Sequence, residues 1–294
     1  MLTIYVVWGS TYLAIRVVVA DLPPLVTAGS RFLIAGSIVA LVVLVRSGPS
    51  RFHLTRRQLM AAVLVGAALL LGGNGLVVIA EQTVPSAFTA LIIASTPLWL
   101  VVFRRIFGER VLAGTLVGVV VGFVGVACLI VPAWTGGGTD PFGIALLLLA
   151  ELSWACGSFI SSRASMPPDP FASTAIQMLT GGVLMLAIGL ARGEPFDPLT
   201  WPQSQDAFRA WLYLIIFGSL AAFTAYTWVL QHAPVSRVAT YAYVNPVVAV
   251  ILGVIILGEV ITPAMLIGGA ILVASVALII RNETLQQGSA SPAP

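Results

Sequence analysis

Ten apolar stretches of about 20 residues each, joined by short connections, leave this chain few choices, because a helix needs roughly that length to cross about 30 Å of hydrocarbon. Within lipid every backbone N–H and C=O must be satisfied inside its own segment, so such stretches become helices. They read as spans at about 2–20, 24–46, 58–82, 85–107, 111–131, 142–163, 170–191, 209–231, 235–257 and 262–280. Of the 294 residues, 59% are hydrophobic and 9% charged, with a mean hydropathy of +1.04, where a soluble domain carries about 25% charged residues. The expected fold is therefore all-α and integral to a membrane, with no room for a soluble domain. The first stretch lacks the charged lead and cleavage site of a signal peptide and reads as a span. The tail from Asn282 to Pro294, rich in Ser, Ala, Gln and Pro, reads as a disordered cytoplasmic tail.

Charge assigns the sides. There is no lysine, and all 14 basic residues are arginines. Arg46, Arg51, Arg56, Arg57, Arg104, Arg105, Arg110, Arg163, Arg237 and Arg281 fall at alternate connections and at the C-terminal end. The positive-inside rule makes those ends cytoplasmic, and with them both termini. The pI of about 9.2 then reports topology, and no nucleic-acid partner is expected. Cys128 and Cys156 both fall inside apolar spans and read as free packing residues.

The chain repeats its own punctuation. Pro85 and Pro97 stand twelve positions apart, as do Pro234 and Pro246, and a Gly-Glu pair follows each, Gly108-Glu109 and Gly258-Glu259. Pro24-Leu25 answers to Pro170-Phe171, Ala35-Gly36 to Gly181-Gly182, Gln82 to Gln231, and Trp8-Gly9-Ser10 loosely to Trp154 through Ser158. This divides the chain into residues 1–136 and 137–281, with five spans in each. An odd number of spans sends the second copy into the membrane from the other side. The expected fold is thus ten transmembrane helices as two inverted five-helix repeats, related by a pseudo-two-fold axis in the membrane plane. Halves of opposite orientation give inward-open and outward-open forms of similar energy, as alternating access requires.

Trp8-Gly9-Ser10-Thr11-Tyr12 with Ile15-Arg16, Ala28-Gly29-Ser30-Arg31-Phe32-Leu33, Gly73-Asn74-Gly75 with Ala80-Glu81-Gln82, and Tyr241-Ala242-Tyr243-Val244-Asn245-Pro246 together resemble the EamA family of the drug/metabolite transporter superfamily. The pattern is similar to the YedA-type branch, with YddG-type aromatic amino-acid exporters as relatives, and it covers all ten spans. The departure is at the start, where only seven residues precede Trp8. The resemblance implies an exporter of small metabolites in the bacterial cell inner membrane.

Each proline inside a span loosens a turn, since it lacks the N–H that the carbonyl four residues back would receive. Pro97 frees Ile93 and Pro246 frees Ala242, and both prolines read as kinks that gate a central path. Asn74, within Gly72-Gly73-Asn74-Gly75, either faces that path or lies where the glycines bring helices close. Tyr241 and Asn245 are four apart and share a helix face. Thr96 and Tyr226 complete the expected cavity lining. Trp99 and Trp154 either stack on a solute or pack between helices. Glu151, the acid nearest mid-membrane, must be neutral, paired or wet, and could couple protons. Arg31 lies about 10 Å in at 1.5 Å per residue, with Glu81 nearest in depth, so the two read as a charged pair forming an outer gate or strut; otherwise Arg31 snorkels. Gly114, Gly118 and Gly122 form a packing ladder.

An enzyme would need paired acids or a metal set within the bilayer, and the only histidines are His53, in a cytoplasmic connection, and His232, at a span end. No catalytic residue, cofactor or metal is expected, nor a channel filter. The partners are a small-molecule substrate and the lipid bilayer, for a monomer or weak dimer. Without lysine, sugar phosphates are poor cargo. Amino acids, aromatic or aliphatic, suit a wall of aromatic and aliphatic groups with a few amides and hydroxyls. The alternative is a multidrug or organic-cation exporter.

Overall fold

The computed structural model describes residues 2–135, 139–197, 199–234, 238 and 240–289. Its described residues form helices and connections with no strand. Among the described residues, nine helices are long and apolar enough to cross a bilayer, and a tenth is shorter. In chain order they are α1 (Leu2–Asp21), α2 (Pro24–Ser47), α3 (Arg56–Ala80), α4 (Ser86–Ile106), α5 (Ala113–Thr135), α6 (Pro141–Ser161), α7 (Pro170–Ala191), α8 (Gln205–His232), α9 (Tyr241–Leu257) and α10 (Pro263–Ser289). Leu41, Val120 and Ile255 are among many apolar side chains left exposed on the outside, where lipid takes the place of a core.

Local chemistry sets the helix ends. A Thr55–Gln58 capping box opens α3, while Asp140 and Asp169 cap α6 and α7 ahead of Pro141 and Pro170. The repeated Gly-Glu pairs now have a physical reason. Gly108 and Gly258 adopt φ of 85° and 65°, the left-handed region that only glycine enters at no steric cost, and they end α4 and α9.

The prolines act unequally. At Pro97 the helix breaks into Ser86–Ile93 and Thr96–Ile106, and the Thr96 hydroxyl donates to the freed Ile93 carbonyl at 2.9 Å. Pro246 sits inside α9, which is helical from Tyr241 onward. The expected start of this span at residues 235–237 lies outside the described residues.

The packing pairs obey one exchange rule. α1 packs on α8 and α9, and α6 packs on α3 and α4; α2 lies along α7, and α5 along α10. Exchanging each helix with the one five places away reproduces the same set, the mark of two inverted five-helix repeats. Glycines make the two self-paired contacts close. A Cβ on Gly29 would stand 2.7 Å from the Leu186 nitrogen, and one on Gly182 2.8 Å from that of Leu33. Gly125 and Gly268 stand in the same relation, with a Cβ on either within 3.0 Å of the other's carbonyl oxygen. Such close approach is how helices associate where lipid removes the hydrophobic drive. The ladder of Gly114, Gly118 and Gly122 faces Asn282, Ile279 and Ser275 of α10.

One expectation is corrected. The tail beyond Asn282 is not irregular from that point, because α10 continues to Ser289. Glu283 is buried at 4% exposure and ion-pairs with Arg104, which docks the extension on α4. Residues 290–294 lie outside the described residues.

Candidate functional site

α3 and α8 occupy matching places in the two repeats, and each contains a π-helical stretch, Ala67–Gly75 and Leu214–Phe223. A π turn holds an extra residue and widens the helix, which re-aims the side chains beside it. Between these stretches lies a narrow cavity of about 60 Å³, lined by residues of both repeats: Trp8, Thr11, Tyr12, Ile15, Arg31, Phe32, Gly73, Asn74, Val77, Ile93, Ala150, Trp154, Gly218, Phe223 and Tyr241. It has room for a few waters.

One wall is polar. Arg31, 3% exposed, donates through Nε to Ser219 Oγ at 3.0 Å and through a terminal nitrogen to Asn74 Oδ1 at 3.4 Å. Its guanidinium carbon lies 4.1 Å from the Phe32 ring centroid. The opposite wall is aromatic. Trp8 and Trp154 meet edge to face at 5.4 Å, and Trp154 Nε1 donates to the Tyr241 hydroxyl at 3.1 Å.

Of the candidate residues, Asn74, Trp154 and Tyr241 line this cavity. Four others do not. Tyr226 is buried behind the Trp8 and Trp154 rings with its hydroxyl 2.6 Å from Ser158 Oγ. Thr96 is turned to Ile93. Trp99 packs on Phe123 at 5.0 Å. Asn245 is buried, and neither its Oδ1 nor its Nδ2 has a hydrogen-bond partner among the described residues.

The Arg31–Glu81 pair does not form. Depth counting ignores rotation about the helix axis, and Arg31 is turned toward α8 and the π stretch of α3. Arg16 instead donates to the backbone carbonyl of Glu81, whose buried carboxylate oxygens have no hydrogen-bond partner among the described residues. Glu151 is likewise fully buried, with the Thr96 hydroxyl as its polar neighbour. The sequence reading missed Trp8, Thr11, Tyr12 and Phe223 as cavity residues. Helical spacing in α1, where Trp8, Thr11, Tyr12 and Ile15 share a face, was the available signal.

The two ends are tied differently. At the arginine-rich end, Glu109 ion-pairs with Arg104 at 2.6 Å and with Arg163, whose guanidinium lies 3.7 Å from the Phe159 ring centroid. At the other end, Glu259 accepts from the Ser86 amide and hydroxyl, both at 2.8 Å, and from the Ala87 amide at 2.9 Å. There, too, Asp140 accepts from the Thr83 hydroxyl at 2.9 Å and from the Phe142 and Gly143 amides, which hold its carboxyl below the usual carboxylate range.

Among the described residues, ten helices in two inverted halves, around a small cavity walled by both, define a membrane transporter of the two-repeat kind. The chain belongs to the EamA-like transporter family, which matches it over residues 1–131 and 141–281. It is 36% identical over 289 residues to the "uncharacterized inner membrane transporter YedA" of Escherichia coli (strain K12), covering 97% of this chain and 90% of that protein. It is 24% identical over 282 residues to a "probable amino-acid metabolite efflux pump" of Salmonella typhimurium (strain LT2), covering 93% of this chain and 91% of the relative. One solved crystal structure superposes on 99% of this chain and 97% of its own with a TM-score of 0.70 at 23% identity, a likeness of fold alone.

Proposed function

We propose that the protein exports small amphipathic metabolites, amino acids in particular, across a bacterial inner membrane by alternating access. The observation that carries this reading is the cavity itself, whose wall joins one charged and amide-bearing side from the first repeat to aromatic surfaces that both repeats supply. A solute with a polar end and an apolar body matches such a wall. The similarity to a protein named as an amino-acid metabolite efflux pump supports the same class. The arginine-rich end, with both termini, is cytoplasmic on this reading. The two repeats, residues 1–136 and 137–281, exchange roles as the cavity opens to one side or the other, in a monomer or weak dimer. Asn74, Trp154 and Tyr241 contact the solute. Glu81 and Glu151, both fully buried among the helices, are the acids available to carry a proton. No step of covalent chemistry is involved.

The test is counterflow in liposomes holding the purified protein, against amino acids and cationic drugs, with and without a pH gradient. Amino acids should exchange faster than in empty vesicles. Exchange of cationic drugs alone would replace this reading with a multidrug exporter.

A further inference from the structure

Arg31 is a permanent cation in the middle of a membrane protein, and it has no acid of its own. It forms no ion pair with any described carboxylate. It does not snorkel either, being 3% exposed and seven residues beyond Pro24. Two neutral oxygens, Ser219 Oγ and Asn74 Oδ1, hold the guanidinium in place. Together they engage only part of its five donors, and the residue lines the central cavity. Removing a charge from water without a counter-charge is costly, so the arrangement calls for an anion that arrives from outside the chain.

We infer that Arg31, braced by Asn74 and Ser219, is the anchor for the carboxylate of the transported solute. The inference rests on the reading of the protein as a metabolite carrier and specifies the group it recognises. A planar guanidinium presents its N–H bonds as a fork that matches a carboxylate. Asn74 accepts from Arg31 through Oδ1, which leaves its Nδ2 hydrogens as further donors to the same anion. A single arginine suits a single negative charge, so monocarboxylates fit and phosphates do not. Trp8, Trp154, Phe223 and Tyr241 supply the aromatic surface for the rest of the molecule. An organic cation in this cavity would meet a like charge. Cargo is therefore chosen by its carboxylate first and its apolar body second.

Three probes share a phenyl body and differ in charge: L-phenylalanine, 3-phenylpropionate and phenethylamine. They are compared as competitors in counterflow, and as thermal stabilisers of the full-length protein in lipid nanodiscs. In the wild-type protein both carboxylates should act, with phenethylamine at least about tenfold weaker. Arg31→Gln should level the difference, and Arg31→Lys should keep the order at lower affinity. The wild-type comparison holds whether or not either variant folds. If phenethylamine matches 3-phenylpropionate while phenylalanine is still carried, the anchor is overturned and the amino-acid reading stands. If 3-phenylpropionate binds and phenylalanine is not carried, the anchor stands and the amino-acid reading falls. No effect from any of the three defeats both.

Discussion

Arg31 and Gln177 stand at matching places in the two repeats, each seven residues after the proline that opens its helix, Pro24 or Pro170. Both are buried, at 3% and 1% exposure. Their neighbours differ. Arg31 reaches the cavity, Asn74 and Ser219. Gln177 keeps to its own helix, donating to Ser173 Oγ at 3.0 Å, with no partner for its Oε1 among the described residues, beneath Gly66 of α3. Aligning Gln82 with Gln231 gives Asn74 a mate as well, Phe223. The pair of polar residues in one repeat is answered by a silent amide and an aromatic ring in the other. The duplication is a property of the frame, carried by prolines and glycines. The chemistry sits at the few positions where the copies have diverged.

Helix capping shows the same contrast. α6 and α7, in the second repeat, are capped by aspartates just before them, Asp140 and Asp169. In the first repeat the start of α2 receives Glu194, whose carboxylate accepts from the Val26 amide at 2.9 Å, and the start of α4 receives Glu259. Both glutamates belong to the second repeat, so it terminates the helices of the first as well as its own.

The comparison can be broken at several levels. The largest effect should come from the shared frame. Gly29→Leu or Gly182→Leu drives a side chain into the backbone of the facing helix and should cost about 3 kcal/mol or more, seen as loss of the monodisperse species on size exclusion. Near-normal yield of either would show that α2 and α7 can move apart freely. Next comes the diverged position. Arg31→Gln makes the repeats alike and should leave a folded protein whose counterflow is reduced at least about tenfold. Adding Gln177→Arg should not restore it, because that site faces α3 and not the cavity; rescue would mean that either repeat can supply the charge. Third, Glu259→Ala should destabilise the protein by about 1–3 kcal/mol and speed hydrogen exchange at the Ser86 and Ala87 amides. Unchanged exchange there would place the cap elsewhere.

Two smaller effects sharpen the contrast. Gln177→Leu removes a buried acceptor that has no partner among the described residues and should change stability little, within about 1 kcal/mol, with transport intact. Asp140 titrates below its unfolded value of about 3.9, so its cap contributes above that pH and is lost as pH falls through the folded value. Amides at the start of α6 should therefore exchange faster only in acid, and Asp140→Asn should abolish that dependence.

The frame was legible because it rests on features that survive without three dimensions: apolar length, arginine placement and paired punctuation. Pro24 against Pro170 and Gly108 against Gly258 carry the inverted repeat on their own. The site was legible in part: Asn74, inside the π stretch of α3, lines the cavity, and so do two residues of regular helices. Tyr241 and Trp154 line it, though for Trp154 the sequence left helix packing equally open. Arg31 and Glu81 were matched by depth, which says nothing about rotation. The π stretches in α3 and α8 add a residue to a turn, so counting along either helix misdirects every face beyond them. Thr96 was misread for a local reason, since its hydroxyl takes the carbonyl that Pro97 abandons.

The borrowed caps bear on how the molecule is made. Chains emerge from the ribosome N-terminus first, at about 5–20 residues per second. α2 and α4 therefore reach the bilayer well before Glu194 and Glu259 exist. Until then the Val26, Ser86 and Ala87 amides lack the acceptors they have in the finished protein, an expensive condition in hydrocarbon. The first half must wait, unfinished at two helix ends, for residues translated more than a hundred positions later, and a chain stopped after Thr135 should be cleared by proteases faster than the full-length protein.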